Sequence, residues 1–232
     1  MAGMSDSDLS LVRLADLDDG ALAEVYAPPS EPWLRVNFVS TLDGAAQGGD
    51  GLSKSINNPA DKRVFHLLRR RADVLVVGAG TVRAEAYEPP TLPLVVVSRS
   101  GDVPPSVRGS DLVHVATCAD SPGLARTREA LGEDRVLVVG RDEVDLVALK
   151  AELAARGWRD QLCEGGPALF GSMLAAGVVD ELCLTQTPRL VAGESLRIAA
   201  GVGVDVRLRL ASLLEQDGTL LGRWLVDPDP GP

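Results

Sequence analysis

The sequence predicts an α/β fold with a mostly parallel central sheet and a C-terminal antiparallel hairpin. Short, continuous apolar runs such as Val74–Val77, Leu94–Val97 and Val136–Val139 have the length and β-branching of strands that are covered on both faces. Segments with helical spacing alternate with these runs, and this alternation is typical of a parallel sheet. Near the end of the chain, Asp217-Gly218 is a hairpin turn signal ahead of a last apolar strand.

The chain is expected to divide into an extension, one domain and a tail. Residues 1–30 are the predicted N-terminal extension, with a short helix over Leu17–Tyr26 that ends at the proline-rich stretch 27–32. Residues 31–226 are the predicted single domain, and its first strand is the run Trp33–Val39. Residues 227–232 are the predicted tail, which we expect to be frayed.

The clearest helix start is Asn58-Pro59. Asparagine is a good N-cap, and proline suits the first turn because its missing N–H has no partner there. Asp61 then places a negative charge at the positive end of the helix. Val64, Leu67 and Leu68 follow at helical spacing, so they form the predicted core stripe of this helix.

The other elements follow from the same two patterns. Strands are predicted where short apolar or alternating runs recur, and helices where apolar residues recur every three or four positions before a glycine. The predicted strands are Leu112–Ala116, Gln161–Cys163, Glu181–Thr185, Val206–Leu210 and Thr219–Val226, and the predicted helices are Thr81–Ala86, Leu146–Arg156 and Pro167–Ala176.

The composition argues against several classes of protein. The net charge of −10 disfavours non-specific binding of nucleic acid. No apolar run reaches the roughly 18–20 residues of a membrane span. Cys118, Cys163 and Cys183 are odd in number and widely spaced, so they predict neither a disulfide framework nor a metal site. We therefore expect reduced thiols in a cytoplasmic protein.

Two strand–glycine–helix turns carry the strongest signal of a ligand. They are residues 77–81, Val-Gly-Ala-Gly-Thr, and residues 163–167, Cys-Glu-Gly-Gly-Pro. Glycines at such turns let a phosphate approach the backbone, and the N–H groups of the helix start point at the anion. A single turn of this kind also serves a tight connection, but two in one parallel sheet favour a dinucleotide. Neither turn is the GxGxxG fingerprint or a P-loop.

Two further polar segments end predicted strands, where α/β proteins bind ligands. Ser98-Arg99-Ser100 follows the strand that ends at Val97, and a guanidinium between two hydroxyls suits the 2′-phosphate that distinguishes NADP from NAD. The alternative is an ordinary polar turn. Asp43 lies in the turn Ser-Thr-Leu-Asp-Gly at residues 40–44, just after the first strand.

The order of these motifs resembles one known family. The segments are 37–44 (Asn-Phe-Val-Ser-Thr-Leu-Asp-Gly), 67–69 (Leu-Leu-Arg), 76–82 (Val-Val-Gly-Ala-Gly-Thr-Val), 164–169 (Glu-Gly-Gly-Pro-Ala-Leu) and 177–182 (Gly-Val-Val-Asp-Glu-Leu). Together they are similar to the C-terminal reductase domain of the bifunctional riboflavin-biosynthesis deaminase/reductase, over about residues 33–193. The resemblance implies a dihydrofolate-reductase-like three-layer fold, NADPH as cofactor, a phosphorylated pyrimidine as substrate and a homodimer.

The resemblance, with the motifs above, also assigns roles to single residues. Asp43 and Glu164 are the expected catalytic residues, and Ser53, Arg69 and Glu164 are expected to bind substrate. The expected cofactor-binding residues are Ser40, Gly78, Gly80, Thr81, Ser98, Arg99, Gly165, Gly166, Ala168 and Leu169. No residue is expected to bind a metal.

The chain departs from the family pattern on the substrate side. The family continues from Thr-Val to Asp-Asp-Pro and an arginine, whereas Glu85 is the one acid found here, and Ser55 stands where many members have tryptophan. The expected activity is NADPH-dependent reduction of a pyrimidine ribosylamine phosphate, like that of 5-amino-6-(5-phosphoribosylamino)uracil reductase. A dihydrofolate or pterin reductase is one alternative, and a non-catalytic NADP-binding module is another. The zinc deaminase half is absent, because the chain has no H-x-E segment with a P-C-x-x-C pair.

Overall fold

The computed structural model describes residues 12–227, which form one ten-stranded sheet with helices on both faces. Residues 1–11 of the predicted extension and 228–232 of the predicted tail lie outside this part of the chain. The strands are β1 (Val12–Arg13), β2 (Trp33–Thr41), β3 (Val74–Gly78), β4 (Leu94–Val97), β5 (Val113–Thr117), β6 (Val136–Val138), β7 (Asp160–Cys163), β8 (Glu181–Thr187), β9 (Leu208–Gln216) and β10 (Thr219–Val226). The helices are α1 (Asp19–Val25), α2 (Pro59–Arg71), α3 (Ala79–Ala84), α4 (Leu124–Leu131), α5 (Leu146–Ala155) and α6 (Pro167–Ala175).

The sheet is parallel except at its C-terminal hairpin. The strand order is β1-β9-β10-β8-β2-β7-β3-β4-β5-β6. From β8 to β6 every neighbouring pair is parallel, whereas β10 is antiparallel to both β8 and β9. The predicted combination of a mostly parallel sheet and a C-terminal antiparallel hairpin is therefore confirmed. The short strand β1 pairs parallel with β9 at the sheet's edge.

Each face of the sheet has its own apolar core. Side chains of α2 and α3, such as Leu68 and Val82, are buried against one face. Side chains of α5 and α6, such as Leu149 and Phe170, are buried against the other. This is the three-layer arrangement that the resemblance implies, so the predicted fold class is confirmed.

Helix α2 begins and packs as its sequence predicts. The Asn58 side chain is the N-cap, and its Oδ1 accepts a hydrogen bond from the backbone N–H of Asp61 at 3.1 Å. Val64, Leu67 and Leu68 are all buried, so the predicted core stripe is confirmed. The helix lies along β10 and β7, and its first turn approaches the carboxyl ends of the strands.

Two elements differ from the sequence-based expectation. Strand β9 runs from Leu208 to Gln216, well beyond the predicted Val206–Leu210, because it pairs with β10 over its whole length. Helix α4 was not predicted, because it is short and buries only Thr127 and Leu131. Within residues 12–227 no helix is long and apolar enough to cross a membrane.

Part of the predicted extension packs into the core. Leu14, Leu22 and Tyr26 are 0–1% exposed and belong to the same apolar cluster as α2. The predicted helix of this region is present as α1, capped by the Asp18 side chain. The boundaries of the domain stay a prediction, but the described part of the extension is packed against the sheet.

A buried ionic group, the Glu181 cluster, fixes this N-terminal segment. Its members are Trp33, Arg35, Glu181 and Arg223. The Glu181 carboxylate lies 3.2 Å from Arg35 Nε and accepts hydrogen bonds from Trp33 Nε1 and Arg223 Nη2, each at 2.9 Å. The guanidinium of Arg223 also donates to the carbonyls of Val25 and Ala27, at 2.6 and 2.8 Å. The cluster therefore ties the segment after α1 to the amino ends of β2 and β8.

Burial alone would raise the pKa of Glu181, because a carboxylate is poorly solvated inside the protein. The charges of Arg35 and Arg223 outweigh that effect and hold its pKa below the ordinary value. Glu181 is therefore ionised at neutral pH, and the cluster is a buried ion pair with hydrogen-bonded support.

Candidate active site

One large cavity opens at the carboxyl ends of β2, β7 and β3. Its volume is about 690 Å³, within the usual range for pockets that bind small molecules. Strand β2 contributes Asn37, Phe38 and Val39, and α2 contributes residues from Asp61 to Arg69. The turns after β3 and β7 complete the lining. The cavity thus lies at the edge of the sheet where α/β proteins bind ligands.

The two glycine turns meet at this cavity. The backbone N–H of Gly78 donates to the carbonyl of Gly165 at 2.8 Å, which joins the turn after β3 to the turn after β7. Gly165 and Gly166 are linked by a cis peptide bond. Of the residues predicted to bind the cofactor, those on the cavity wall are Gly78, Gly80, Thr81, Gly166, Ala168 and Leu169. Gly165 lies behind them and supports the turn.

Two of these glycines have no room for a side chain. Gly165 has φ of +85°, and a Cβ there would lie 2.6 Å from the Phe38 ring. A Cβ on Gly166 would collide with the Thr81 hydroxyl. The two turns therefore leave a backbone cradle beside the first turn of α6, as a phosphate-binding turn requires.

Glu164 and Arg69, both predicted to contact substrate, form an ion pair. Arg69 Nε and Nη2 donate to Glu164 Oε1 and Oε2, both at 2.7 Å, which is the bidentate geometry of strong pairs. The Tyr87 hydroxyl donates to Glu164 Oε2, also at 2.7 Å. We call Arg69, Tyr87 and Glu164 the Glu164 cluster. The Arg69 guanidinium also stacks over the Phe65 ring at 4.4 Å.

The Glu164 cluster is only partly enclosed. The Glu164 side chain is 4% exposed, whereas that of Arg69 is 34% exposed and faces the cavity. Burial and the neighbouring Glu164 carboxylate raise the pKa of Tyr87 well above its ordinary value, so its hydroxyl keeps its proton. Arg69 Nη1 takes no part in the bonds to Glu164 and is left for a ligand.

Ser53 also lines the cavity, as predicted for a substrate contact, and it is linked to Glu85. The backbone N–H of Ser53 donates to Glu85 Oε1 at 2.9 Å. Glu85 lines the cavity as well. Glu85 therefore holds the loop that contains Ser53.

Two predicted residues of the 40–44 turn lie outside the cavity wall. Ser40 is buried within β2, and its carbonyl accepts a hydrogen bond from the Thr187 hydroxyl at 3.3 Å. The Asp43 carboxylate accepts from the Thr41 hydroxyl and, at 3.0 and 2.7 Å, from the backbone N–H groups of Val191 and Ala192. These hydrogen bonds lower the pKa of Asp43, so this carboxyl is a weak proton donor.

Ser98 and Arg99 lie at the end of β4, beside a second, smaller cavity. Its volume is about 250 Å³, and Arg99 and Ser100 line it together with Asp120 and Asp142. Ser98 is buried, and its hydroxyl lies 3.3 Å from that of Ser100. The structure thus keeps these residues apart from the large cavity but at the same edge of the sheet. No group of three potential ligands within residues 12–227 is placed to hold a metal ion.

A comparison with known protein families finds a match over most of the chain. The RibD C-terminal domain family matches residues 32–221, which cover both cavities and most of the sheet. The chain belongs to this family.

Individual members of the RibD C-terminal domain family support the match. The 2,5-diamino-6-ribosylamino-4(3H)-pyrimidinone 5′-phosphate reductase of Methanothermobacter thermautotrophicus is 32% identical, over 75% of this chain and 86% of that protein. The crystal structure of a pyrimidine reductase-like protein from Corynebacterium diphtheriae is 25% identical and has a TM-score of 0.76, with 90% of this chain and 99% of that chain covered.

A bifunctional relative shares the fold over part of its length. The deaminase/5-amino-6-(5-phosphoribosylamino)uracil reductase of Thermotoga maritima has a TM-score of 0.58 at 21% identity. The match covers 85% of this chain and 57% of that one. This chain therefore corresponds to about half of the bifunctional protein.

The sequence did not predict that Tyr87 and Asp61 line the cavity. The sequence alone assigns no role to Tyr87, although it is one of just two tyrosines in the chain. Asp61 was interpreted as a charge at the start of α2, but the structure buries it to 3% exposure on the cavity wall. The available signal for Asp61 was its position one turn before the core residue Val64.

Proposed function

We propose that the protein is an NADPH-dependent reductase of a ribosylamino-pyrimidine 5′-phosphate, as in riboflavin biosynthesis. The observation that carries the proposal is the meeting of two ligand-binding features in one cavity of about 690 Å³. One wall is the backbone cradle of the two glycine turns, and the other is the Glu164 cluster with the first turns of α2. A cavity of this kind suits two flat rings held face to face.

The backbone cradle suits the cofactor. We propose that Gly78, Gly80, Thr81 and residues 165–169 hold the nicotinamide end and the pyrophosphate of NADPH, with Ser40 behind them in β2. We propose that Arg99, which lines the second cavity, and the neighbouring Ser98 bind the 2′-phosphate. When bound, NADPH supplies the hydride. The chain's own contribution is to fix the position of both rings and to exclude water.

The opposite wall suits the substrate. We propose that the exposed face of Arg69 binds the sugar or its phosphate, while Glu164 holds Arg69 in place and Ser53 contributes a further polar contact. Glu164 accepts three hydrogen bonds already, so it fixes charge and geometry rather than carrying a proton to solvent. Asp43 was expected to be catalytic. Its bonds to Val191 and Ala192 support a positioning role instead.

The decisive experiment follows the absorbance of NADPH with three candidate substrates. The full-length protein is mixed with the 2,5-diamino-pyrimidinone ribosylamine phosphate, with its uracil counterpart, and with dihydrofolate. We expect oxidation with a ribosylamino-pyrimidine and none with dihydrofolate. Oxidation with dihydrofolate would favour a pterin reductase. Binding of NADPH without turnover of any substrate would favour the non-catalytic module.

We also propose that the protein is a cytoplasmic homodimer. Its three cysteines are buried and free, which fits a reducing compartment. The segment 188–207, which has no helix or strand, exposes Leu190, Leu196, Val202 and Val204 at 44–79%. Such apolar exposure fits a surface that a second copy covers. Light scattering should give twice the chain mass of 24.4 kDa at micromolar concentration, whereas the single-chain mass would rule out the dimer.

A further inference from the structure

Asp61 is a buried acidic residue on the wall of the large cavity. It lies in the first turn of α2 and is 3% exposed, yet it belongs to the cavity wall. Its backbone N–H is occupied by the Asn58 side chain, and the Thr185 side chain on β8 lies near its carboxylate. Burial raises its pKa to about 6, although Thr185 and the charge of Lys62 act in the opposite direction.

Asp61 differs from the other acids of the cavity because it is buried and yet forms no ion pair. Glu164 is paired with Arg69, and Glu85 accepts the N–H of Ser53. None of the ion pairs formed within residues 12–227 includes Asp61. A buried carboxylate is costly unless hydrogen-bond donors surround it. A ligand that places donors against Asp61 removes that cost.

The charge distribution of the cavity orients a phosphorylated ligand. Lys54 and Lys62 are exposed residues on the cavity wall, so they can meet a phosphate that stays solvated. Asp61 is buried, and a flat, weakly solvated ring suits its part of the wall. This charge distribution favours a ribosylamino-pyrimidine phosphate with its ring toward Asp61 and its phosphate toward the exposed basic side chains.

We propose that Asp61 selects a 2-aminopyrimidin-4-one ring over a uracil ring. In the first ring, N3–H and the 2-amino group are neighbouring donors that point the same way, and the two oxygens of a carboxylate accept both in parallel. In uracil, an oxygen replaces the 2-amino group, so it faces the carboxylate as a second acceptor. This inference rests on the proposed function and deepens it, since it identifies the ring that the reductase uses.

The test compares both ribosylamine phosphates in wild type and in Asp61→Asn. Asparagine presents one acceptor and one donor, which matches N3–H and the 2-oxygen of uracil. We expect wild type to favour the 2-amino substrate by about tenfold or more in kcat/KM, and Asp61→Asn to reverse the preference, chiefly through KM. Glu85→Gln is the matched control, because it changes another acid of the same cavity and should leave the ratio of the two substrates unaltered.

Calorimetry with the two unreduced pyrimidines separates ring selection from catalysis. If neither substrate oxidises NADPH but the 2-amino ring binds wild type more tightly, the proposed function fails and the role of Asp61 stands. Equal binding of both rings by wild type, or equal loss of both in Asp61→Asn with an unchanged NADPH-induced melting shift, overturns the role of Asp61. The melting curve of the variant also establishes that it is folded.

The preference should depend on pH. The carboxylate form of Asp61 accepts two donors, so the advantage of the 2-amino ring should decline as the pH falls below about 6, the pKa of this group. A dependence that persists in Asp61→Asn would belong to other groups and would contradict the assignment. The other charged or titratable side chains on the cavity wall are Lys54, Lys62, His66, Arg69, Glu85, Tyr87 and Glu164, and the variant retains them all.

Discussion

Two buried glutamates, Glu181 and Glu164, lie at opposite ends of the parallel strands, and each is paired with arginine. The Glu181 cluster is at the amino ends of β2 and β8 and is closed by the segment after α1. The Glu164 cluster follows the carboxyl end of β7 and exposes a third of Arg69 to the cavity. Both clusters pair a buried glutamate with arginine, but only the Glu164 cluster borders the cavity. We therefore expect the Glu164 cluster to bind a ligand and the Glu181 cluster to have a structural role.

The largest expected effect is the loss of stability in Glu181→Gln. This change leaves Arg35, which is fully buried, with only the more distant Asp160 carboxylate, 3.8 Å from Arg35 Nη1, as a counter-charge. Removing one partner of such a pair typically costs about 3–5 kcal/mol. Denaturant unfolding should measure this loss in the free energy of unfolding. The loss should be clearly smaller in Glu164→Gln, because Arg69 is partly solvated. Equal losses in the two variants would contradict the comparison.

The same cluster gives the stability a pH dependence of known sign. The pKa of Glu181 is lower in the folded protein than in the unfolded chain. Glu181 therefore contributes its full stabilisation above the pKa that it has in the unfolded chain. That stabilisation is lost as the pH falls toward the lower pKa that it has in the folded protein. The difference between wild type and Glu181→Gln should shrink as the solution becomes more acidic.

The next effect is the loss of cofactor binding in Gly166→Val. The new side chain would collide with the Thr81 hydroxyl, so it displaces a side chain of the backbone cradle and lowers stability. We expect the variant to melt at a lower temperature than wild type and to show no further melting shift when NADPH is added. Gly109→Val is the control, since that glycine has open space around it and should keep the shift. A much lower melting temperature with the NADPH shift intact would show that Gly166 serves only the turn.

A smaller effect is expected for Glu164→Gln, and it should appear in turnover. Without the carboxylate, Arg69 loses its bidentate partner and Tyr87 loses a charged acceptor. Losing a hydrogen bond to a charged group costs about 1.5–3 kcal/mol, or roughly 10- to 150-fold in kcat/KM. The NADPH melting shift should be unchanged. Wild-type turnover in the variant would mean that the Glu164 cluster is as purely structural as the Glu181 cluster.

The smallest effect is expected at Arg99, which is exposed beside the second cavity. Arg99→Ala should weaken the binding of NADPH by about 1.5 kcal/mol, roughly tenfold, and leave the affinity for NADH unchanged. Titration of both cofactors measures this directly. Asp120 and Asp142 line the same cavity, and their negative charges repel a phosphate. We therefore expect a loss of affinity at the low end of the range for a charged contact. Equal affinity of wild type for NADPH and NADH would refute the NADP assignment.

Much of the fold could be predicted because local sequence and tertiary structure agree. Asn58-Pro59 starts α2 as its capping chemistry requires, and the apolar runs at 74–77 and 94–97 are central strands. The glycine turns were predicted to bind a ligand from their chemistry alone, and the structure places them side by side. These features depend on neighbours a few residues away.

The features that sequence could not predict depend on residues far apart in the chain. The partners of Glu181 come from β2 and β10, and 148 residues separate it from Trp33. The position of Asp61 one turn before Val64 places it on the buried side of α2, but the α2 sequence does not show that this side borders a cavity. The hydrogen bonds of Asp43 could not be predicted for the same reason, because its carboxylate binds the backbone N–H of Ala192, 149 residues away in the chain.

The hydrogen bonds of Arg223 also set an order of events in the synthesis of the protein. The carbonyls of Val25 and Ala27 are made 198 and 196 residues before the guanidinium that binds them. Contacts of such long range form late in folding, because the intervening chain must first be closed into a loop. Until β10 has left the ribosome, the segment after α1 lacks its anchor and Glu181 lacks half of its counter-charge. A nascent chain stalled before Arg223 should therefore be far more sensitive to protease at residues 12–27 than the finished protein.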